Sequence, residues 1–234
     1  MDSMKAGGIA VVVGATGGIG GAVTQALQQS GTFSSVIGYS RTSAPAIDLQ
    51  DEQTVVRAAA AIKAMNSELR LVFDATGFLH GGGFMPEKTL SALDPAHMAY
   101  AFAVNAMGPA LLMKHFLPLL PKHGKSVFAT LSAKVGSIGD NMLGGWYSYR
   151  ASKAALNQFV RTAAIESTRK TPDSICVALH PGTVDTDLSS GFAKQGLEVR
   201  TPAQTAAMLL AVIDKLTPAQ TGGFYDYKGE TLPW

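Results

Sequence analysis

The chain has 234 residues, enough for one α/β domain with a substantial core, and its balance of 47% hydrophobic to 15% charged residues excludes a disordered or fibrous polypeptide. Nineteen Lys and Arg against seventeen Asp and Glu leave a formal charge of +2, with the basic residues scattered, which argues against a nucleic-acid partner. The single Cys176 excludes an internal disulfide and a multi-cysteine metal site; no apolar run is long enough to span a bilayer and Met1 to Gly8 carries no secretory signature, so a cytoplasmic protein with no membrane partner is expected.

Ile9 to Val13 is a continuous β-branched run, the pattern of a central parallel strand buried on both faces. A glycine turn follows, and from Ile19 the residues Ala22, Val23, Ala26 and Leu27 recur at helical spacing until Gly31 stops the helix. Val36 to Tyr39 reads as a second strand, Thr54 to Met65 as a helix and Leu69 to Ala75 as a strand. Pro95 to Leu120 reads as one long helix with Asp94 as N-cap and Pro95 at its first position. Its circumference is largely apolar, which predicts a second subunit on one side: a homodimer or homotetramer through helices 95–120 and 149–169. Ser126 to Leu131 is a strand, Tyr149 to Arg169 a helix, Ile175 to Leu179 a strand, Ala203 to Leu216 a helix and Gly223 to Tyr227 a last strand. This alternation requires crossover connections. It predicts a Rossmann-type doubly wound parallel sheet of about seven strands with helices on both faces, in a single domain over residues 1–234. The irregular stretches Gly77 to Leu93, Ala133 to Ser148 and Pro181 to Thr201 all follow strands and should gather as substrate loops at one edge.

Gly14-Ala15-Thr16-Gly17-Gly18-Ile19-Gly20 lies between the first strand and its helix, where glycines let backbone approach a pyrophosphate and the helix start supplies partial positive charge. Gly14, Thr16, Gly18, Ile19 and Gly20 are thus candidate dinucleotide contacts. Ser40-Arg41 ends the second strand, where an acidic residue would select the ribose hydroxyl of NAD. A guanidinium there suits the 2′-phosphate of NADP(H), with Ser40 adding a hydroxyl. Asp48 either accepts from the adenine amino group or caps locally. Tyr149 and Lys153, four apart on a helix, share one face, and an ammonium near a phenol favours phenolate, making Tyr149 a candidate proton donor or acceptor.

Taken together, these motifs resemble the short-chain dehydrogenase/reductase family along essentially the whole chain: Gly14, Gly18 and Gly20 match its glycine turn and Tyr149/Lys153 its helix pair. Asn105 in Val104-Asn105-Ala106 and Ser132 in Thr130-Leu131-Ser132-Ala133 match its remaining two functional positions. The resemblance implies an NAD(P)-binding domain in which Tyr149 is the general acid/base, Lys153 holds the nicotinamide ribose and lowers the Tyr149 pKa, Ser132 steadies the substrate oxygen and Asn105 supports a water-linked proton relay. Ser137, in the glycine-rich loop beyond, is a rival to Ser132. Pro181-Gly182-Thr183-Val184-Asp185-Thr186 resembles the family segment that meets the nicotinamide carboxamide, which adds Pro181, Gly182, Val184 and Thr186, and Gly77 closes Asp74-Ala75-Thr76-Gly77, the counterpart of the usual Asn-Asn-Ala-Gly. A second departure puts Val13 where the family has Thr before the first glycine. Trp146-Tyr147-Ser148-Tyr149 and Pro233-Trp234 add likeness to the C-factor-like branch.

The implied activity is NADP(H)-dependent interconversion of a carbonyl and an alcohol on a small substrate, by hydride transfer. The alternative is a dinucleotide-binding regulatory or signalling protein on the same fold. His80-Gly81-Gly82-Gly83 imitates the oxyanion loop of Ser hydrolases, but no Gly-x-Ser-x-Gly elbow accompanies it. The five histidines show no metal spacing.

Overall fold

A computed structural model describes residues 1–191, 196 and 198–234. Six strands form one all-parallel sheet: β1 (Ile9–Val13), β2 (Ser35–Tyr39), β3 (Leu69–Asp74), β4 (Ser126–Leu131), β5 (Ser174–His180) and β8 (Phe224–Asp226), in the order β2-β1-β3-β4-β5-β8. The count is six where about seven were expected. The remaining pair, β6 (Thr183–Val184) and β7 (Val199–Arg200), bonds only to itself, because Pro181 and the left-handed Gly182 (φ 74°) turn the chain away after β5.

The helices are α1 (Gly18–Ser30), α2 (Glu52–Ala64), α3 (Pro95–Phe102), α4 (Gly108–Phe116), α5 (Tyr147–Ser167) and α6 (Pro202–Lys215). Strand residues alternate between two cores, as a side-chain period of two demands. Ile9, Val11 and Val13 pack with α2, α4 and α5, through Ile62, Phe116, Leu156 and Val160, whereas Ala10 and Val12 pack with α1 and α6, through Val23, Leu27, Leu209 and Ile213. Both faces are therefore covered, and continuous apolar strands follow from that burial.

The expected helix over 95–120 is broken. Asp94 does cap it, accepting the His97 N–H at 2.7 Å, and Pro95 does take the first position. At Ala103–Met107, however, the backbone widens into a π-turn in which the Gly108 N–H reaches the Ala103 carbonyl. Pro109, which has no N–H to donate, follows directly in the first turn of α4. Such π-turns recur at functional sites. A 3-10 turn at Leu117–Leu119, around Pro118, then ends the segment.

Candidate active site

The chain leaves β1 for β2 on one side and returns to β3 on the other, which opens a crevice at the carboxyl ends of these strands. A cleft of about 290 Å³ occupies it, lined by Gly14, Thr16, Gly17, Ser40, Arg41, Asp48, Gly77, Tyr100 and Val104 among others. A larger cavity, about 500 Å³, lies elsewhere, between α4 and α5 on the outer face.

The glycine turn is shaped for close backbone approach. Gly14 has φ 82°, and a Cβ on Gly20 would stand 2.1 Å from the Gly14 carbonyl oxygen. Gly17 precedes α1 with no side-chain cap, and no acid lies in the first helical turn. The first N–H groups of α1 thus take no side-chain cap, and the first turn carries no carboxylate of its own, which suits a pyrophosphate. A Cβ on Gly18 would meet Thr186 Cγ2 at 2.8 Å, so the 181–186 segment is folded over the turn. There Val184 is buried, Gly182 is left-handed, and the Arg200 guanidinium lies 3.6 Å from the Tyr227 ring, fastening the far end of the loop.

At the opposite end of the cleft Ser40 is buried, its Oγ accepting the Thr42 N–H at 3.1 Å, while Arg41 is exposed. Among the described residues no carboxylate pairs with Arg41. Asp48 accepts the Gln50 N–H at 3.0 Å, the local capping role. These residues fit a phosphorylated dinucleotide: glycine cradle, uncapped helix N-terminus, unpaired guanidinium.

Tyr149 and Lys153 lie on the inward face of α5, both buried, with Nζ 6.0 Å from the phenol ring centroid. Nζ donates to the Leu131 carbonyl at 2.8 Å, at the end of β4. Burial pushes the Tyr149 phenol up to about 12 and, although Asp74 opposes it, pulls the Lys153 ammonium down to about 8. The expected lowering of the Tyr149 pKa is thus absent: desolvation dominates, with the ammonium committed to Leu131. At neutral pH Tyr149 is a protonated phenol, ready to donate.

Asn105 is fully buried. Its Oδ1 accepts the Phe78 N–H at 2.7 Å, and Nδ2 donates to the Phe78 carbonyl at 2.7 Å and to Ser152 Oγ at 3.1 Å. The side chain thereby ties the loop after β3 to α5, beside Gly77, whose Cβ position is 3.7 Å from Lys153 Nζ.

Ser132 departs from expectation. Its hydroxyl donates to Asn157 Oδ1 at 2.6 Å, and the next residue, Ala133, packs with Tyr149 and Leu79 instead. Successive residues of an extended chain face opposite ways, so only one of the two can meet the phenol. Ser137 is buried at the end of a short turn, Lys134–Gly136, that presses on Lys153. Its oxygen accepts the Asp140 N–H at 3.1 Å, and among the described residues no acceptor takes its proton.

Sequence reasoning missed Asp74. This carboxylate is fully buried, accepting from the Thr76 N–H and hydroxyl at 3.0 and 2.6 Å and from the Thr130 hydroxyl at 2.7 Å. Burial raises its pKa, against the pull of those donors and Lys153. Its signal in the sequence is the acid that opens Asp74-Ala75-Thr76-Gly77, where the family has Asn. Among the described residues no cluster suits a metal ion, and no helix is long and apolar enough to cross a membrane.

A doubly wound sheet with a glycine turn at its switch point and a Tyr–Lys pair beside it is the frame of a nicotinamide-dependent oxidoreductase. The chain belongs to the short chain dehydrogenase family, whose pattern matches residues 8–197. C-signal of Myxococcus xanthus is 39% identical over 147 residues, 62% of this chain and 83% of that protein, in accord with the C-factor-like resemblance. The 1-hydroxy-2-glutathionyl-2-methyl-3-butene dehydrogenase of Rhodococcus sp. strain AD45 is 34% identical over 194 residues, 82% of this chain and 80% of that protein. The NADPH-bound carbonyl reductase from chicken fatty liver shares the fold at a TM-score of 0.85 and 24% identity, over 99% of this chain and 95% of that one. The carbonyl reductase Sniffer of D. melanogaster does so at 0.83 and 23%, over 99% and 100%.

Proposed function

We propose that this chain is an NADP(H)-dependent oxidoreductase that interconverts a carbonyl and an alcohol on a small substrate, with Tyr149 as the general acid/base. The observation that carries the reading is the buried Tyr149–Lys153 pair, placed beside a cleft whose helix start takes no side-chain cap and whose Arg41 meets no carboxylate among the described residues. The cofactor, held by Gly14, Thr16, Gly18, Ile19, Gly20, Ser40, Arg41, Gly77, Pro181, Gly182, Val184 and Thr186, would supply or accept the hydride. NADPH or NADP bound to proteins of the same fold supports that choice.

As a carbonyl carbon is reduced, negative charge gathers on its oxygen, and Tyr149 donates its proton there. Lys153, anchored on the Leu131 carbonyl, would hold the ribose. Asn105 fixes the loop after β3 against α5 and would support a water-linked proton relay beside Lys153. Ser132, its hydroxyl spent on Asn157, supports the end of β4 and does not touch substrate; Ser137 retains a proton to give and takes the role of second donor. Asp48, which also accepts the Gln50 N–H, lines the cleft beside Arg41 and would accept from the adenine amino group.

The domain works as a homodimer or homotetramer in the cytoplasm, joined by α4 and α5. Support comes from Phe159 and Ile165, 42% and 49% exposed on α5, and from the cavity shared with Ala110 and Leu117.

The test is NADPH consumption over a carbonyl panel, with Tyr149→Phe alongside: activity should fall by about a hundredfold or more while NADPH still binds. Unchanged activity in Tyr149→Phe would overturn the assignment. The likeness to C-signal favours a second reading, a dinucleotide-binding signalling protein; NADPH binding with no turnover on any carbonyl would select it.

A further inference from the structure

Helix α5 carries Tyr149 in its first turn, yet begins without a cap of its own. Trp146, at the N-cap, is left-handed (φ 52°, ψ 44°) and makes no capping bond. A helix start leaves N–H groups unpaired and partly positive, so a carboxylate there is stabilising. It comes from Glu87, 61 positions before Ser148, in the loop that follows β3. Glu87 Oε2 accepts the Ser148 N–H at 3.1 Å, Oε1 accepts the Ser148 hydroxyl, and the Glu87 backbone carbonyl takes the Trp146 N–H.

His97 of α3 places Nδ1 3.2 Å from Glu87 Oε1. Glu87, His97 and Ser148 are each at most 3% exposed. Burial pushes the Glu87 carboxyl up, but the Ser148 bonds and His97 bring it below its ordinary value, so its charge stands at neutral pH. Phe84 stacks on His97 at 5.0 Å, and Phe78 meets it edge-on at 5.9 Å. The Phe78 backbone is held by Asn105, Asn105 bonds Ser152, and the Ser152 hydroxyl returns to the Tyr149 carbonyl at 2.9 Å. These contacts form a closed circuit around the backbone of Tyr149.

We infer that Glu87 is a positioning residue for Tyr149, clamping the loop after β3 onto the first turn of α5 so that one loop both walls the substrate site and aims the phenol. The inference rests on the reading of Tyr149 as acid/base. A carboxylate buried at this depth is costly unless fully bonded, and here all its partners belong to the clamp.

The test compares Glu87→Gln and Glu87→Ala with the parent enzyme and with Tyr149→Phe, for NADPH-driven reduction of a reactive diketone, well below each melting temperature. Glutamine keeps the shape and one acceptor but loses the charge. Glu87→Gln should lower kcat on the order of tenfold and Glu87→Ala on the order of a hundredfold, as expected for a misplaced reacting group, with NADPH affinity within about twofold of the parent. Partial rescue by glutamine and a loss confined to kcat are what mere destabilisation does not produce. Folded Glu87→Gln with parental kcat, or a loss in NADPH affinity equal to the loss in kcat, overturns the clamp. An active Tyr149→Phe instead overturns the acid/base reading, so the two failures are distinct.

Discussion

Replacing Lys153 by Met should make the protein more stable and inactive. The ammonium is fully buried, and its pKa falls from the ordinary 10.5 to about 8. The unfolded chain therefore binds the proton more tightly than the fold does, and stability is lost as pH drops from 10.5 to about 8. Near pH 7 nearly the whole penalty is present, about 3 kcal/mol, with the attraction of Asp74 already counted in it. Met has similar length and no charge, and gives up the bond to the Leu131 carbonyl, at a cost of about 1–2 kcal/mol. The net gain is about 1–2 kcal/mol, or about 3–6 °C in Tm for a domain of this size. Denaturant unfolding followed by circular dichroism at pH 7 and pH 9 measures it. The advantage should shrink by about 1 kcal/mol at pH 9, where the parent lysine has lost most of its charge in the fold. A variant less stable than the parent at pH 7, or an advantage that does not change with pH, would refute the argument from desolvation. A buried group that destabilises its fold is the trade expected of an active site.

Arg41→Ala should weaken NADPH binding by about ten- to a hundredfold, one charge-assisted contact, and leave NADH nearly unaffected; titration by nucleotide fluorescence checks it, and an equal loss for both cofactors would remove Arg41 from the 2′-phosphate. Ser132→Ala should keep kcat within about threefold while lowering stability by about 1 kcal/mol, because its hydroxyl serves Asn157, whereas Ser137→Ala should lower kcat by about tenfold or more. The reverse pattern in steady-state kinetics would restore Ser132 to the substrate. Gly20→Ala forces a methyl to 2.1 Å from the Gly14 carbonyl and should both abolish detectable NADPH binding and lower Tm, read by calorimetry and thermal melts.

Most element boundaries were legible within two residues, for local reasons. Apolar continuity marked the buried strands, and Asp94 with Pro95 marked the start of α3. The single long helix was the exception. Its apolar pattern runs unbroken through Asn105, and only Pro109, which cannot donate an N–H, hints that the regular helix is interrupted there. The short strands Thr183–Val184 and Val199–Arg200 were not legible, because they pair with one another away from the main sheet, a contact between distant segments.

By itself the sequence determined the alternating order of strands and helices, the glycine turn at the first crossover and the placing of Tyr149 and Lys153 on one helical face. Those properties depend on periods of two and 3.6 residues and on backbone freedom, which a few neighbouring residues settle. Only the tertiary structure decided what each polar side chain bonds to: Ser132 to Asn157 across 25 positions, Glu87 to Ser148 across 61. It also decided that burial sets the protonation of Tyr149 more strongly than its lysine neighbour does. Desolvation depends on everything packed around a group, and that packing exists only once the sheet has closed its two cores.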